Sequence, residues 1–198
     1  MVSGYSAALM DEMDIVVKVD GDGQMDPSLM PLFIEPIING VADYTKGNRF
    51  FNLASLAQMP WLRIIGNAGL SLLTKVSSGY WDVVDPTNGY TAIHKDTLKE
   101  LPLDKLDERY FFESDMLFRL NTLRAVVQDI PMDAKYADEK SNLKIKSVIF
   151  EFALKNMRNF AKRIFYNYFL RDFSFASIQL VLGSLLLCVG GVVSLQVW

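Results

Sequence analysis

The spacing of apolar residues changes character several times along the chain, and each change marks a different kind of element. Residues 2–12 place Tyr5, Ala8 and Leu9 on one helical face. Ile15, Val16, Val17 and Val19 then form a β-branched run broken only by Lys18, which predicts a short strand buried on both faces. The run stops at Asp20-Gly21-Asp22-Gly23-Gln24, and Asp26-Pro27 supplies an N-cap and a first-turn proline for a helix over 27–38. Pro31 and Pro36 should kink or shorten that helix. Residues 41–44 predict an edge strand running into a basic loop, Lys46-Gly47-Asn48-Arg49-Phe50. A helical pattern over 60–76 sets Arg63 and Asn67 on one face at i, i+4. Thr87-Asn88-Gly89 reads as a turn before a strand over 90–94, and Asp96 as the cap of a short helix ending at Glu100. Ser114 opens a helix to about Arg124, and 125–130 is the last strand of the series.

The pattern then changes again. Residues 144–172 give a helix with Ile145, Val148, Phe152, Met157 and Phe160 among its apolar positions, and with Lys155, Arg158 and Lys162 at i, i+3, i+7 beside Arg163. From Phe173 to Trp198 there is no charged residue, a length sufficient to cross a bilayer. A basic, aromatic-rich helix just before such a segment predicts contact with an anionic lipid surface. The alternative is a helix packed on the domain's own core. Cations at Lys155, Arg158, Lys162, Arg163 and Arg171 precede the span and none follows it, so the globular part is expected on the cytoplasmic side. The chain thus divides into 1–143, 144–172 and 173–198.

Composition narrows the chemistry. A net charge of −3 leaves no broad basic field, which excludes nucleic acid as a natural partner. The single cysteine, Cys188, lies in the apolar segment, so neither a disulfide framework nor a thiolate zinc site is available. The single histidine, His94, sits on a short strand and reads as structural. Asp20 and Asp22 remain, two carboxylates at i, i+2 just past a strand end, where open α/β sheets bind ligands. Such oxygens suit Mg²⁺ or Mn²⁺ together with a substrate phosphate. A solvated acidic turn is the bland alternative. An EF-hand starting at Asp20 fails, because Met25 and Pro31 stand where Gly and Glu are required. A haloacid-dehalogenase-type phosphatase with Asp20 as nucleophile would usually have Thr in place of Gln24. Lys46, Gly47 and Arg49 suggest a phosphate-side loop, with a solvated basic turn as the rival. Glu113 and Asp115 follow Tyr110-Phe111-Phe112 at a helix start, either as dipole partners or as a carboxylate tuned toward neutral pH.

Seven landmarks in order (DIVVKVDGDGQMDP, KGNRF, WLRIIGN, VVDPTNGYTAI, YFFESDM, DEKSNL and KRIFYNYFLRDFS) resemble the family 2 glycosyltransferases of the polyprenyl-phosphate type, from Tyr5 to the C-terminus. The resemblance implies an α/β fold of GT-A type, a Rossmann-related sheet with flanking helices, followed by an interface helix and a transmembrane helix. It further implies a nucleotide-sugar donor, Mg²⁺ or Mn²⁺, and inverting transfer onto a polyprenyl phosphate at the membrane. Carried over by position, Asp20, Asp22 and Gln24 hold the metal and the donor diphosphate. Arg49 and Arg63 grip the acceptor phosphate, with Asn67 where the family more often has a small hydroxyl residue. Asp85 lines the sugar site. Asp115 falls at the base position, and positioning is expected of it as much as proton abstraction, since a phosphate acceptor is already ionised. The family's first, nucleotide-binding strand has no counterpart here, so the expectation is a partial catalytic domain. A non-catalytic membrane-bound remnant is the alternative from a different class, and a homo-oligomer is left open.

Overall fold

The computed structural model describes residues 1–21, 23, 25–51, 61–133 and 145–197, the side chains of 61–63, 145–149 and 197 aside. It forms two compact units, Met1–Phe160 and Ala161–Trp198. In the first, helix α1 (Val2–Met10) leads to strand β1 (Ile15–Lys18). A 3-10 turn (Pro27–Leu29), helix α2 (Met30–Ile38), strand β2 (Tyr44–Asn48) and helix α3 (Trp61–Ser78) follow. Strand β3 (Thr91–His94), helix α4 (Lys95–Glu100), helix α5 (Phe112–Leu123) and strand β4 (Val127–Pro131) complete the α/β part, and helix α6 (Ile145–Phe165) comes after it.

The four strands make one mixed sheet in the order β1-β3-β2-β4. β3 is antiparallel to both neighbours, pairing Ile93 with Val16 and with Tyr44, while β2 and β4 run parallel. Period-two alternation distributes the strand residues over two cores. Tyr44, Ile93 and Val16 meet Tyr5 of α1 and Phe112, Met116 and Leu120 of α5. Ala92, Val17 and Ile130 meet Phe33 and Ile37 of α2, where Phe33 stacks on Tyr90 at 4.0 Å. The helices therefore flank the sheet on both sides, as expected.

Three local expectations are corrected. β1 is half-buried throughout, because among the described residues it pairs with β3 alone and lies at the sheet's edge. β2 is an interior strand starting at Tyr44, and Lys46-Gly47-Asn48 are buried strand residues rather than a loop. Gly47 is needed there because the Met132 sulfur and the Asn88 side chain press against its Cα. The short helix α4 is capped by His94, whose Nδ1 accepts from the Asp96 backbone N–H, so the imidazole has a structural role and the cap lies two residues earlier than expected. Asp26 does cap the turn before α2, accepting from Ser28 N–H. Pro31 sits harmlessly in the first turn of α2, and the helix ends two residues after Pro36.

α6 inverts its expected polarity within the first unit. Phe152 is buried edge-on to Phe111 at 5.0 Å, but Asn156 and Asn159 are buried beside it while Phe150, Leu154 and Met157 are exposed. Ser77 donates to Asn156 Oδ1, and Asn159 Nδ2 donates to Asp115 Oδ1 at 3.0 Å. Lys155 is committed to Asp107 and Glu151, at 2.8 and 2.9 Å. This part of the helix thus packs by amide hydrogen bonds and leaves apolar side chains outside.

The second unit continues through a π-helical turn (Tyr166–Arg171) into helix α7 (Phe175–Val197). Ser177, fully buried, accepts from Ser174 N–H at 3.0 Å and donates to the Tyr168 carbonyl, which ties the turn to the helix start. Residues Phe175–Gln196 have a mean hydropathy of 2.2, long and apolar enough to cross a membrane. The motif DEKSNL lies outside the described residues.

Candidate functional site

The turn Asp85–Gly89, between α3 and β3, brings the candidate residues together. At one end Asp85 is completely buried, and Arg49 grips it through Nε at 2.7 Å and Nη2 at 3.1 Å. The Arg49 backbone N–H and the Thr87 hydroxyl add further bonds to the same carboxylate, each at 3.3 Å. Arg49 sits just past the end of β2, so the strand delivers the guanidinium to the turn. In the middle, Asn88 folds its Oδ1 back onto Tyr90 N–H at 2.9 Å, and its carbonyl accepts from the Lys46 ammonium. Burial lowers the pKa of Lys46 to about 8, although Glu113 and Asp85 pull the other way.

At the other end of the turn lies a second acidic corner. Lys18 stands two residues after Val16 and so points to the α5 face of the sheet. Its ammonium donates to Asp20 Oδ1 at 3.0 Å, to Glu113 Oε1 at 2.9 Å and to the Gly89 carbonyl at 3.2 Å. Burial pulls the Lys18 pKa down, but Glu113 and Asp20 outweigh it and the net shift is upward. Gly89 leaves no space for a Cβ, since the Asp20 carboxylate lies against its Cα. Three oxygens, from Asp20 just past β1, from α5 and from the 85–89 turn, thus converge on one cationic atom. Asp20 alone of the three keeps an exposed side, and a carboxylate oxygen is the kind of ligand a hard divalent ion takes.

The remaining candidates separate. Asp115 faces inward, at the opposite side of the first turn of α5 from Glu113. It accepts from Arg119 Nε at 2.8 Å, from Asp107 N–H at 3.0 Å and from Asn159. Among the described residues these bonds reach none of the other candidates. Asn67 lines a mostly apolar cavity of about 350 Å³ with Ile64, Ser71, Lys75, Val84 and Phe50, the chain neighbour of Arg49. Asp22 and Gln24 lie outside the described residues, as does the side chain of Arg63 in the first turn of α3. Among the described residues, no group of three or more His, Cys, Asp or Glu is placed to hold a metal. Lys18 and Glu113, which the carry-over by position leaves out, are the residues that the structure adds at the Asp20 corner. Their signal was Lys18 itself, the one cation in an apolar strand.

Known proteins share this arrangement of sequence. The chain is 31% identical over 137 residues to the UDP-N-acetylglucosamine–dolichyl-phosphate N-acetylglucosaminyltransferase of Methanococcus voltae, covering 69% of this chain and 54% of that one. It is 28% identical over 132 residues to the undecaprenyl-phosphate mannosyltransferase of Micrococcus luteus, covering 66% and 53%. The relatives that the sequence resembles are thus polyprenyl-phosphate glycosyltransferases. The chain spans about half the length of these curated glycosyltransferase relatives. No protein-family model matches the sequence. Among solved structures, the glycosyltransferase fold matches glucosyl-3-phosphoglycerate synthase from Mycobacterium tuberculosis, in complex with Mn²⁺, UDP-glucose and phosphoglyceric acid. The TM-score is 0.56 at 16% identity, over 81% of this chain and 53% of that one. The fold is accordingly GT-A.

Proposed function

We propose that this chain carries part of the catalytic machinery and the membrane anchor of a metal-dependent transferase. It moves a sugar, with inversion, from a nucleotide-sugar onto a polyprenyl phosphate at the cytoplasmic membrane face. The observation that carries this reading is the convergence of Asp20 and Glu113, from two different elements, at the turn that also anchors Asp85 and Arg49. The Mn²⁺ bound by a structural neighbour and the polyprenyl-phosphate acceptors named for the relatives support it.

Asp20, with Asp22 and Gln24, would hold Mg²⁺ or Mn²⁺ and the donor diphosphate. Such an ion, when bound, neutralises the charge that develops on the departing nucleotide. Asp85 fixes the Arg49 guanidinium beside the sugar site. Arg49, Arg63 and Asn67 take the acceptor phosphate, and the apolar cavity beside Asn67 accepts the adjoining part of the lipid. Asp115 acts by position, locking the start of α5 so that Glu113 is presented to the reacting groups. Because the acceptor phosphate is ionised at neutral pH, Glu113 orients more than it deprotonates. α7 supplies the anchor, and the cations ahead of it favour the cytoplasmic orientation.

Calorimetric titration of the detergent-solubilised full chain with UDP and with GDP, each with and without Mn²⁺, tests the donor half. Metal-dependent binding of one nucleotide is expected, and Asp20→Asn should weaken it by at least about tenfold, the loss of one charged ligand. Binding indifferent to both Mn²⁺ and Asp20→Asn would overturn the reading. Transfer of labelled sugar from that nucleotide into solvent-extractable polyprenyl phosphate tests the acceptor half.

A further inference from the structure

Lys18 is more than a partner for one carboxylate. An ammonium has three N–H bonds, and here each is spent on a different oxygen: Asp20 Oδ1, Glu113 Oε1 and the Gly89 carbonyl. The head group cannot easily leave. Its side chain is 13% exposed and lies 5.9 Å from the Phe112 ring centroid. The two carboxylates differ in access, however. Glu113 is 13% exposed and Asp20 43%, so an ion arriving from solvent meets Asp20 first. A carboxylate shared between an ammonium and an arriving divalent ion binds that ion less tightly than a free one, because the two cations repel each other.

We infer that Lys18 is a resident cation of this site. It holds Asp20 and Glu113 together until a divalent ion takes Asp20 from it, and it then stays on Glu113 and the Gly89 carbonyl. The inference rests on the metal-binding role proposed for Asp20. Two consequences follow from the geometry. The bare site has a low affinity for the metal alone, so the ion is retained only when a donor diphosphate shares it. Lys18 also keeps Glu113 in place through the exchange, which makes it a positioning residue linking the donor side to the acceptor side.

The test is a titration of the full chain with Mn²⁺ alone, read by the loss of the free-ion paramagnetic resonance signal, on the native protein, Lys18→Gln and Glu113→Gln. Lys18→Gln should bind Mn²⁺ about tenfold or more tightly, as expected for removing one competing unit charge a few ångströms away. Glu113→Gln should bind it several-fold more weakly, since Lys18 then rests on Asp20 alone. Equal affinities in all three proteins, or weaker binding by Lys18→Gln, would overturn the inference and leave the metal site standing. Binding by none of the three, even with UDP or GDP present, would overturn both. A purely structural lysine would lower the unfolding temperature of Lys18→Gln without raising its Mn²⁺ affinity. If Lys18→Gln does not fold, Glu113→Gln decides, because an unchanged affinity there already contradicts the sharing.

Discussion

Two sets of carboxylates in the first unit are held by cations in opposite ways. Asp85 and Asp115 are buried, each takes an arginine Nε within 2.8 Å, and each adds a backbone N–H and an amide or hydroxyl. Asp20 and Glu113 share one lysine between them, and Asp20 keeps an open side. A planar guanidinium with several fixed donors locks a carboxylate, whereas an ammonium is a compact point charge on a flexible stem. The difference teaches which acids hold the scaffold and which are free to exchange ligands.

The largest effect should come from breaking the locked set. Asp115→Ala strands Arg119, whose side chain is 13% exposed, and leaves the buried Asn159 amide without its acceptor. Removing one member of a buried pair costs about 3–5 kcal/mol. For a chain of this length that is a fall in unfolding temperature of roughly 10 °C. Mn²⁺ affinity in whatever fraction stays folded should fall no further than in Glu113→Gln, because Asp115 reaches the Asp20 corner only through Glu113. Full stability with lost metal binding would erase the distinction between the two sets and return Asp115 to the exchanging one.

A smaller effect, on the exchanging set, comes from a residue that ionises nothing. A Cβ at Gly89 would collide with the Asp20 carboxylate. Asp20 can swing into solvent, so Gly89→Ala should cost about 1 kcal/mol or less in stability, as surface rearrangements do. Mn²⁺-dependent nucleotide binding should nevertheless fall about tenfold, the value of one displaced charged ligand. Parallel thermal and calorimetric titrations separate the two. An unchanged affinity would mean that Asp20 is not held where its ligand needs it.

Much of this was legible in the order of residues. The β-branched run before Asp20, the capped turn at Asp26, the paired arrangement around Thr87-Asn88-Gly89 and the uncharged stretch after Phe173 all follow local rules of periodicity and turn chemistry, and the structure keeps them. Lys46-Gly47-Asn48 was misplaced into a loop because its composition is that of a turn; only pairing with both β3 and β4 turns it into an interior strand. Glu113 and Asp115 stand together in the sequence but apart in the structure. Two carboxylates two apart at a helix start point in different directions, and which one meets Asp20 depends on how α5 lies on the sheet. α6 shows the same limit: its apolar pattern names a face, but Asn156 and Asn159 pair with Ser77 and Asp115, so the amides turn inward. Each of these arrangements depends on a partner more than 40 residues away in the chain, where local pattern carries no information.

Asp129 marks the boundary between the two sets, since among the described residues no ion pair holds it. Its Oδ2 accepts from Asn48 Nδ2 at 3.0 Å and Val84 N–H at 2.9 Å, and its Oδ1 is buried with no partner among the described residues. Burial raises its pKa to about 6, against smaller opposing pulls from the Val84 N–H and Lys46. A carboxyl whose folded pKa lies above its unfolded value takes up its proton first in the folded chain. Its ionised form therefore costs stability near pH 7, and that cost is relieved as the pH falls through 6 toward 4. Asp129→Asn keeps an acceptor for Asn48 and Val84 and removes the charge. It should stabilise the protein by about 1 kcal/mol at pH 7, discounted for partial exposure, with the advantage shrinking toward pH 4. Denaturant unfolding of both proteins across that range measures it. A variant less stable at pH 7 would show that the charge is needed opposite Lys46, and would move Asp129 into the set held by cations.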